Sequence, residues 1–146
     1  MIHDLDILQA VQEQLRTKWP DCPIYLQEVK EGFQPPAFFL KSMTVATPLH
    51  DGMVYRDTDI YITYVPKKTI HTFVIFQTLA DVLELFMDGL TVQDRHISFS
   101  TITEELLGEA NDGGQITLSF SYYEAVTKEE TDELMLILYE HIRGKE

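Results

Sequence analysis

The chain has 146 residues, 45% of them hydrophobic and 24% charged, a composition for one folded domain and against an intrinsically disordered one. Eleven Lys and Arg stand against 24 Asp and Glu, a net charge of −13. No basic face is available to neutralise phosphates, so specific nucleic-acid binding is not expected. The charge is also uneven, with a net −2 over residues 1–70 and −11 over residues 71–146. Structurally, that surplus is a solubilising surface; functionally, it is an acidic face that repels a polyanion or holds a cation.

Cys22 is the single cysteine, which leaves no internal disulfide to hold the fold. The N-terminus lacks a basic and apolar leader, and no apolar run approaches the ~18 residues needed to span a bilayer. A reducing cytoplasm, or a virus particle assembled in one, is the expected setting, with no membrane partner.

Leu8, Val11, Leu15 and Trp19 recur at helical spacing, with Leu5 extending the same side, and predict a helix over residues 4–18 that Pro20 stops. Arg16 and Lys18 in its last turn suit the helix dipole. Pro23 to Val29 reads as a first strand, and the Gly and paired Pro of residues 30–36 as a turn or loop. An extended run then leads from Phe38-Phe39-Leu40 to about Ala46. After Pro48-Leu49-His50-Asp51-Gly52 comes the clearest strand pattern. Val54, Arg56, Thr58, Ile60, Ile62 and Tyr64 fall on one face, and Tyr55, Asp57, Asp59, Tyr61 and Thr63 on the other. Pro66 ends it, and the two runs predict a long antiparallel hairpin.

Residues 70–87 switch to helical period, with Ile75, Leu79, Val82, Leu83 and Phe86 as the apolar stripe and Asp88-Gly89 as the stop. Strands are expected over roughly 91–103 and 115–126, joined by a turn at Glu109-Ala110-Asn111-Asp112-Gly113-Gly114. A last helix opens on the capping box Thr127-Lys128-Glu129-Glu130 and carries Leu134, Ile137, Leu138 and Ile142 on one side. The whole predicts an α+β domain over residues 1–146. Its antiparallel sheet has about four to five strands in two hairpins, with helices mainly on one face.

Chemistry is sparse. His3, His50, His71, His96 and His141 are scattered without metal-ligand spacing. Cys22 reads as a small buried residue rather than a nucleophile. Asp57 and Asp59 project from one strand face, an arrangement a divalent cation can use, but Tyr55, Tyr61 and Thr63 beside them mark the wet face of a half-buried strand. No Gly-rich strand-to-helix turn cradles phosphate. No catalytic residue, metal or cofactor is expected, and interfaces are the expected mode of action.

One segment carries more than composition. Ile24-Tyr25, Glu28-Val29, Gly32-Phe33, Pro36 and Phe38-Phe39-Leu40 are followed by a strand ending in Tyr64-Val65-Pro66. This pattern resembles a tail terminator family of phages and prophages of Gram-positive hosts, along essentially the whole chain. The chain departs from the family pattern at Glu31, where Gln is frequent, at Ala37, where Cys is frequent, and at Val65, where Phe is usual. The resemblance implies a non-enzymatic protein of the virion tail or neck, present in the host cytoplasm during assembly. It would end tail-tube polymerisation and form the joining surface to the head connector.

Such proteins are generally homo-oligomeric rings, commonly hexamers, so the implied partners are a second copy, the tail tube protein and the connector. The −11 surplus would then form a channel wall that repels DNA. Tyr25, Gly32, Phe33, Pro36, Phe38, Phe39, Tyr64 and Pro66 carry the resemblance and read mostly as turn and packing residues. Contact residues are expected instead at the Thr47–Gly52 tip (Pro48, His50, Asp51) and in the Glu104–Gly114 region (Glu104, Glu105, Glu109, Asp112). Another neck or head-closure component, a small metal enzyme built on Asp57 and Asp59, and an acidic adaptor or DNA mimic are the competing functions.

Overall fold

The computed structural model describes residues 2–26, 33–67, 72–108 and 113–125. The expected C-terminal helix, the turn at residues 109–112, and Gly32 lie outside these residues. In chain order the elements are α1 (Asp4–Lys18), β1 (Ile24–Tyr25), β2 (Ala37–Pro48), a single 3-10 turn (His50–Gly52) and β3 (Met53–Val65). There follow α2 (Thr72–Phe86), β4 (Leu90–Val92), β5 (Arg95–Ile97), β6 (Thr101–Leu107) and β7 (Gly113–Ala125).

α1 forms where periodicity places it. Asp4 and Asp6 occupy its first turn, Arg16 and Lys18 its last, and the Asp6 carboxylate accepts the His3 backbone N–H at 2.9 Å. Its buried side is Ile7, Leu8, Val11 and Leu15, whereas Leu5 is 55% exposed. Leu5 therefore does not extend the buried stripe. Leu8, Val11 and Leu15 are buried as expected, and Ile7 widens the stripe on the side away from Leu5.

Five strands pair in the order β1-β2-β3-β7-β6, and β4-β5 is a separate two-stranded ribbon. The sheet is not purely antiparallel as expected, since β1 runs parallel to β2, with Ile24 opposite Phe38 and Tyr25 opposite Phe39. The connection between them, residues 26–36, is far longer than a hairpin turn and returns the chain to the same end of the sheet. The expected strand over 91–103 divides into β4, β5 and β6. Gln93 takes a positive φ of 55°, and the chain reverses there. The two long hairpins are present: β2 and β3 pair from Ala37–Val65 to Pro48–Val54, and β6 pairs with β7.

Among the described residues, helices cover one face of the sheet and none covers the other. Thr58, Ile60, Ile62 and Tyr64 of β3 alternate inward, as do Ile116, Leu118, Phe120 and Tyr122 of β7 and Phe38 and Leu40 of β2. α1 and the Ile75, Leu79, Val82 and Phe86 side of α2 close this core. Each such side chain contributes about 1.5–3 kcal/mol by leaving water. At Gly114 an added Cβ would lie 2.8 Å from Ile75 Cγ2 and 2.9 Å from Leu79 Cδ1, so α2 settles onto β7 where no side chain intervenes. α2 ends at Gly89, whose φ of 93° and N–H to Phe86 carbonyl (3.1 Å) close the last turn.

Candidate functional site

α1 decides how far the covered face extends. Its N-terminal end lies over Thr44, whose hydroxyl is 3.0 Å from both Asp4 Oδ1 and the Thr58 hydroxyl. Beyond this point Val45, Ala46, Thr47 and Pro48 are all exposed, so this end of β2 is uncovered on both faces. β2 thus runs four residues, about 13 Å, past α1 before the tip, while in the same registers Tyr122 and Glu124 of β7 stay buried. At the tip the Leu49 N–H bonds the Met53 carbonyl at 2.8 Å, and Asp51 adopts a left-handed φ of 64°.

This end carries exposed apolar groups. Val45 is 62% exposed, Tyr123 57%, Met43 53% and Leu49 44%. By strand parity Met43, Val45 and Tyr123 share the open face, and Tyr55 stands 5.0 Å from Tyr123 across β3 and β7. The adjoining band of the same face is polar. Ser121 donates to Asp57 (3.0 Å) and Ser119 to Asp59 (2.6 Å). Thr63 donates to Gln115 (3.1 Å), which in turn donates to Glu105 (3.1 Å). Asp57 and Asp59 are thus cross-strand acceptors, and among the described residues no group of three or more His, Cys, Asp and Glu gathers around a cation position.

The residues that carried the resemblance divide between two packing clusters. On the open face, Tyr25 stacks on Phe39 at 5.1 Å and Phe33 meets Phe39 edge-on at 5.0 Å. On the covered face, Phe38 lies 5.1 Å from both Trp19 and Tyr64. Pro66 is buried just past β3, and Pro36 follows a cis peptide bond from Pro35. The Cys22 thiol lies 3.4 Å from the Pro36 carbonyl oxygen, and burial pushes its pKa up, which keeps it a thiol rather than a nucleophilic thiolate. A shallow open depression of about 270 Å³ beside it, lined by Lys18, Trp19, Asp21, Cys22 and Pro36, holds no converging set of polar groups.

The expected contact residues are not gathered in one place. Pro48, His50 and Asp51 stand exposed at the hairpin tip. Glu104 and Glu105 are exposed on strand β6, not on a loop, and Glu109 and Asp112 lie outside the described residues. Met43, Val45 and Tyr123, which the reading from loops did not single out, are strand residues exposed on the face away from the helices.

A further polar feature lies under the same end of the sheet. Glu124 is 8% exposed, accepts the Ile2 backbone N–H at 2.6 Å and approaches Arg56 Nε at 3.2 Å. Arg95 donates to the Tyr123 carbonyl at 2.7 Å and lies over the Tyr122 ring at 4.9 Å. Desolvation pushes the Tyr122 phenol up, with Arg56 opposing, and the hydroxyl has no hydrogen-bond partner among the described residues.

A family profile described as phage tail terminator protein matches residues 6–132. Among solved structures, the chain is similar to one from the virion of a native gene transfer agent particle, at 15% identity and a TM-score of 0.53. That alignment covers 78% of this chain and 90% of the other, and shows a shared fold. A second solved chain aligns with a TM-score of 0.45 at 13% identity, over 87% of this chain and 98% of its own length. No curated protein matches by sequence.

Proposed function

Because the chain belongs to the phage tail terminator family, a family of structural tail proteins rather than enzymes, we propose that it caps the tail tube and ends its polymerisation. The capping unit in this reading is a homo-oligomeric ring, six subunits being the expected number, whose opposite side joins the head connector. The observation that carries the reading is the exposed end of β2 together with the adjoining helix-free face of the sheet at Tyr123. There Met43, Val45, Leu49 and Tyr123 expose apolar surface on a chain of net charge −13. Exposed apolar residues clustered at one end of a strongly charged protein mark a contact surface.

Ring closure suits such a chain because a heterologous contact closes when its rotation permits, and a projecting sheet end reaches a neighbour. The fold shared with a chain of a gene transfer agent virion supports a place in a phage-like particle. The acidic surplus of residues 71–146 gives a channel wall that DNA phosphates do not adhere to. The test is to add purified protein to growing tail tubes and image them by negative-stain electron microscopy. Tubes that stop elongating, each with one ring at its end, are the expected result. Tubes that keep growing uncapped would contradict the proposal.

A further inference from the structure

Two edges of the sheet are open. β6 ends the strand order, and among the described residues no strand lies along its outer side. At the other end β1 pairs only with Phe38 and Phe39, so among the described residues the outer side of β2 is unpaired from Leu40 to Pro48. An unpaired edge offers its backbone N–H and C=O groups to any strand that lies along it, and proteins usually blunt it with charge, Pro or a bulge. β2 is not blunted over Ser42–Thr47, which holds no charged residue, Gly or Pro and exposes Met43 and Val45. On a chain of net charge −13, this uncharged edge stands apart from the solubilising surface.

The two edges fit each other. The steps from β2 to β3, β3 to β7 and β7 to β6 are all antiparallel, so β6 runs opposite to β2. Set beside the β2 of a second copy, β6 forms an antiparallel pair, and the helices of both copies stay on one side of the joined sheet. The seven residues of β6 measure about 23 Å, which the stretch from Leu40 to Pro48 exceeds. Charge favours this pairing over β6 against β6, which would bring Glu104 and Glu105 of two copies together; β2 has no acidic residue and one basic residue, Lys41. β2 against β2 is two-fold, closes at a dimer and leaves both β6 edges open.

We infer that β6 of one copy pairs along the outer edge of β2 of the next copy, so that the sheets join edge to edge. Each copy offers one edge and receives the other, which is the head-to-tail contact a ring requires. The inference rests on the ring proposed above and names the surface through which its subunits meet.

The test places a photo-crosslinker on the exposed side of β6 in the full-length protein, Thr103→p-benzoylphenylalanine, and illuminates it on tail tubes imaged in parallel by electron microscopy. Denaturing gels separate adducts of twice the chain mass from those within one chain, and mass spectrometry locates the joined peptides. The expected adducts have twice the chain mass and lie within residues 40–48 of the second copy. Rings at tube ends whose adducts lie elsewhere, or are missing, would overturn the edge pairing and leave the ring standing. Adducts confined to one chain would overturn it in favour of the chain's own segment on the edge. An absence of both rings and two-chain adducts would overturn the ring and the edge pairing together. Should the Thr103 variant not fold, the reciprocal Met43→p-benzoylphenylalanine chain must crosslink to residues 101–107 of a second copy, and its failure to do so overturns the inference equally.

Discussion

Ile2 and Glu124 stand 122 positions apart in the chain, yet the Ile2 backbone N–H donates to Glu124 Oε1 at 2.6 Å in a buried setting. Together with Arg56 Nε at 3.2 Å from Oε2, this carboxylate ties the residue before α1 to β3 and β7. Glu124→Ala is expected to destabilise the fold by about 1–3 kcal/mol, because it leaves the buried Ile2 N–H without its acceptor and removes the Arg56 ion pair. Urea unfolding of the variant beside the wild type measures this, and an unchanged midpoint would show that the tie holds nothing.

Gly89→Ala tests the turn between α2 and the β4–β5 ribbon. The φ of 93° disfavours any L side chain, and an added Cβ would run into the Ile97 carbonyl oxygen and lie 2.9 Å from His96 Nε2. A loss of at least about 2 kcal/mol is expected. Thermal unfolding followed by circular dichroism would register it as a Tm lower by several degrees.

Alkali should loosen the fold. Cys22, Tyr64 and Tyr122 are all pushed above their ordinary values of 9.0, 10.0 and 10.0 by burial first; for Tyr64, a Thr78 hydrogen bond opposes the shift and Cys22 adds to it. A folded state that holds these protons longer than the unfolded state does loses stability as pH rises from about 9 through the folded values. The urea midpoint should therefore be flat near neutral pH with respect to these groups and fall above pH 9, and Tyr122→Phe should make the fall shallower. A midpoint independent of pH up to 11 would contradict this account.

Local periodicity made most of the fold legible. The alternation of Val54 to Tyr64 placed each residue on its correct face, and the stripes of residues 4–18 and 70–87 gave helices within two residues of α1 and α2. What failed to show was non-local. Ile24-Tyr25 has no feature that says parallel, because only the path of residues 26–36 decides on which side it returns. Gln93 breaks a strand at a position where Gly or Asn usually announces the turn. Leu5 looked buried because a five-residue window cannot fix the rotation of a helix.

The exposed end of β2 was partly legible for the same reason. The tip at Pro48, His50 and Asp51 reads as a loop from its Pro and Gly, and it is exposed. Val45 and Met43 lie on the sheet face away from α1, and their exposure depends on no described element packing over that face. That fact belongs to tertiary packing, and no window of sequence contains it.

Whether this sheet end is the surface that meets the tail assembly is the central question, and one comparison answers it most directly. Val45→Lys and Tyr123→Lys place charge on side chains 62% and 57% exposed, and urea unfolding of each variant beside the wild type checks that it folds. Tail-tube lengths would be measured by electron microscopy with wild type, each variant and no addition. The account predicts short capped tubes with wild type and, with either variant, tubes as long as those grown alone. Variants that fold normally and still cap every tube at the wild-type length would contradict it.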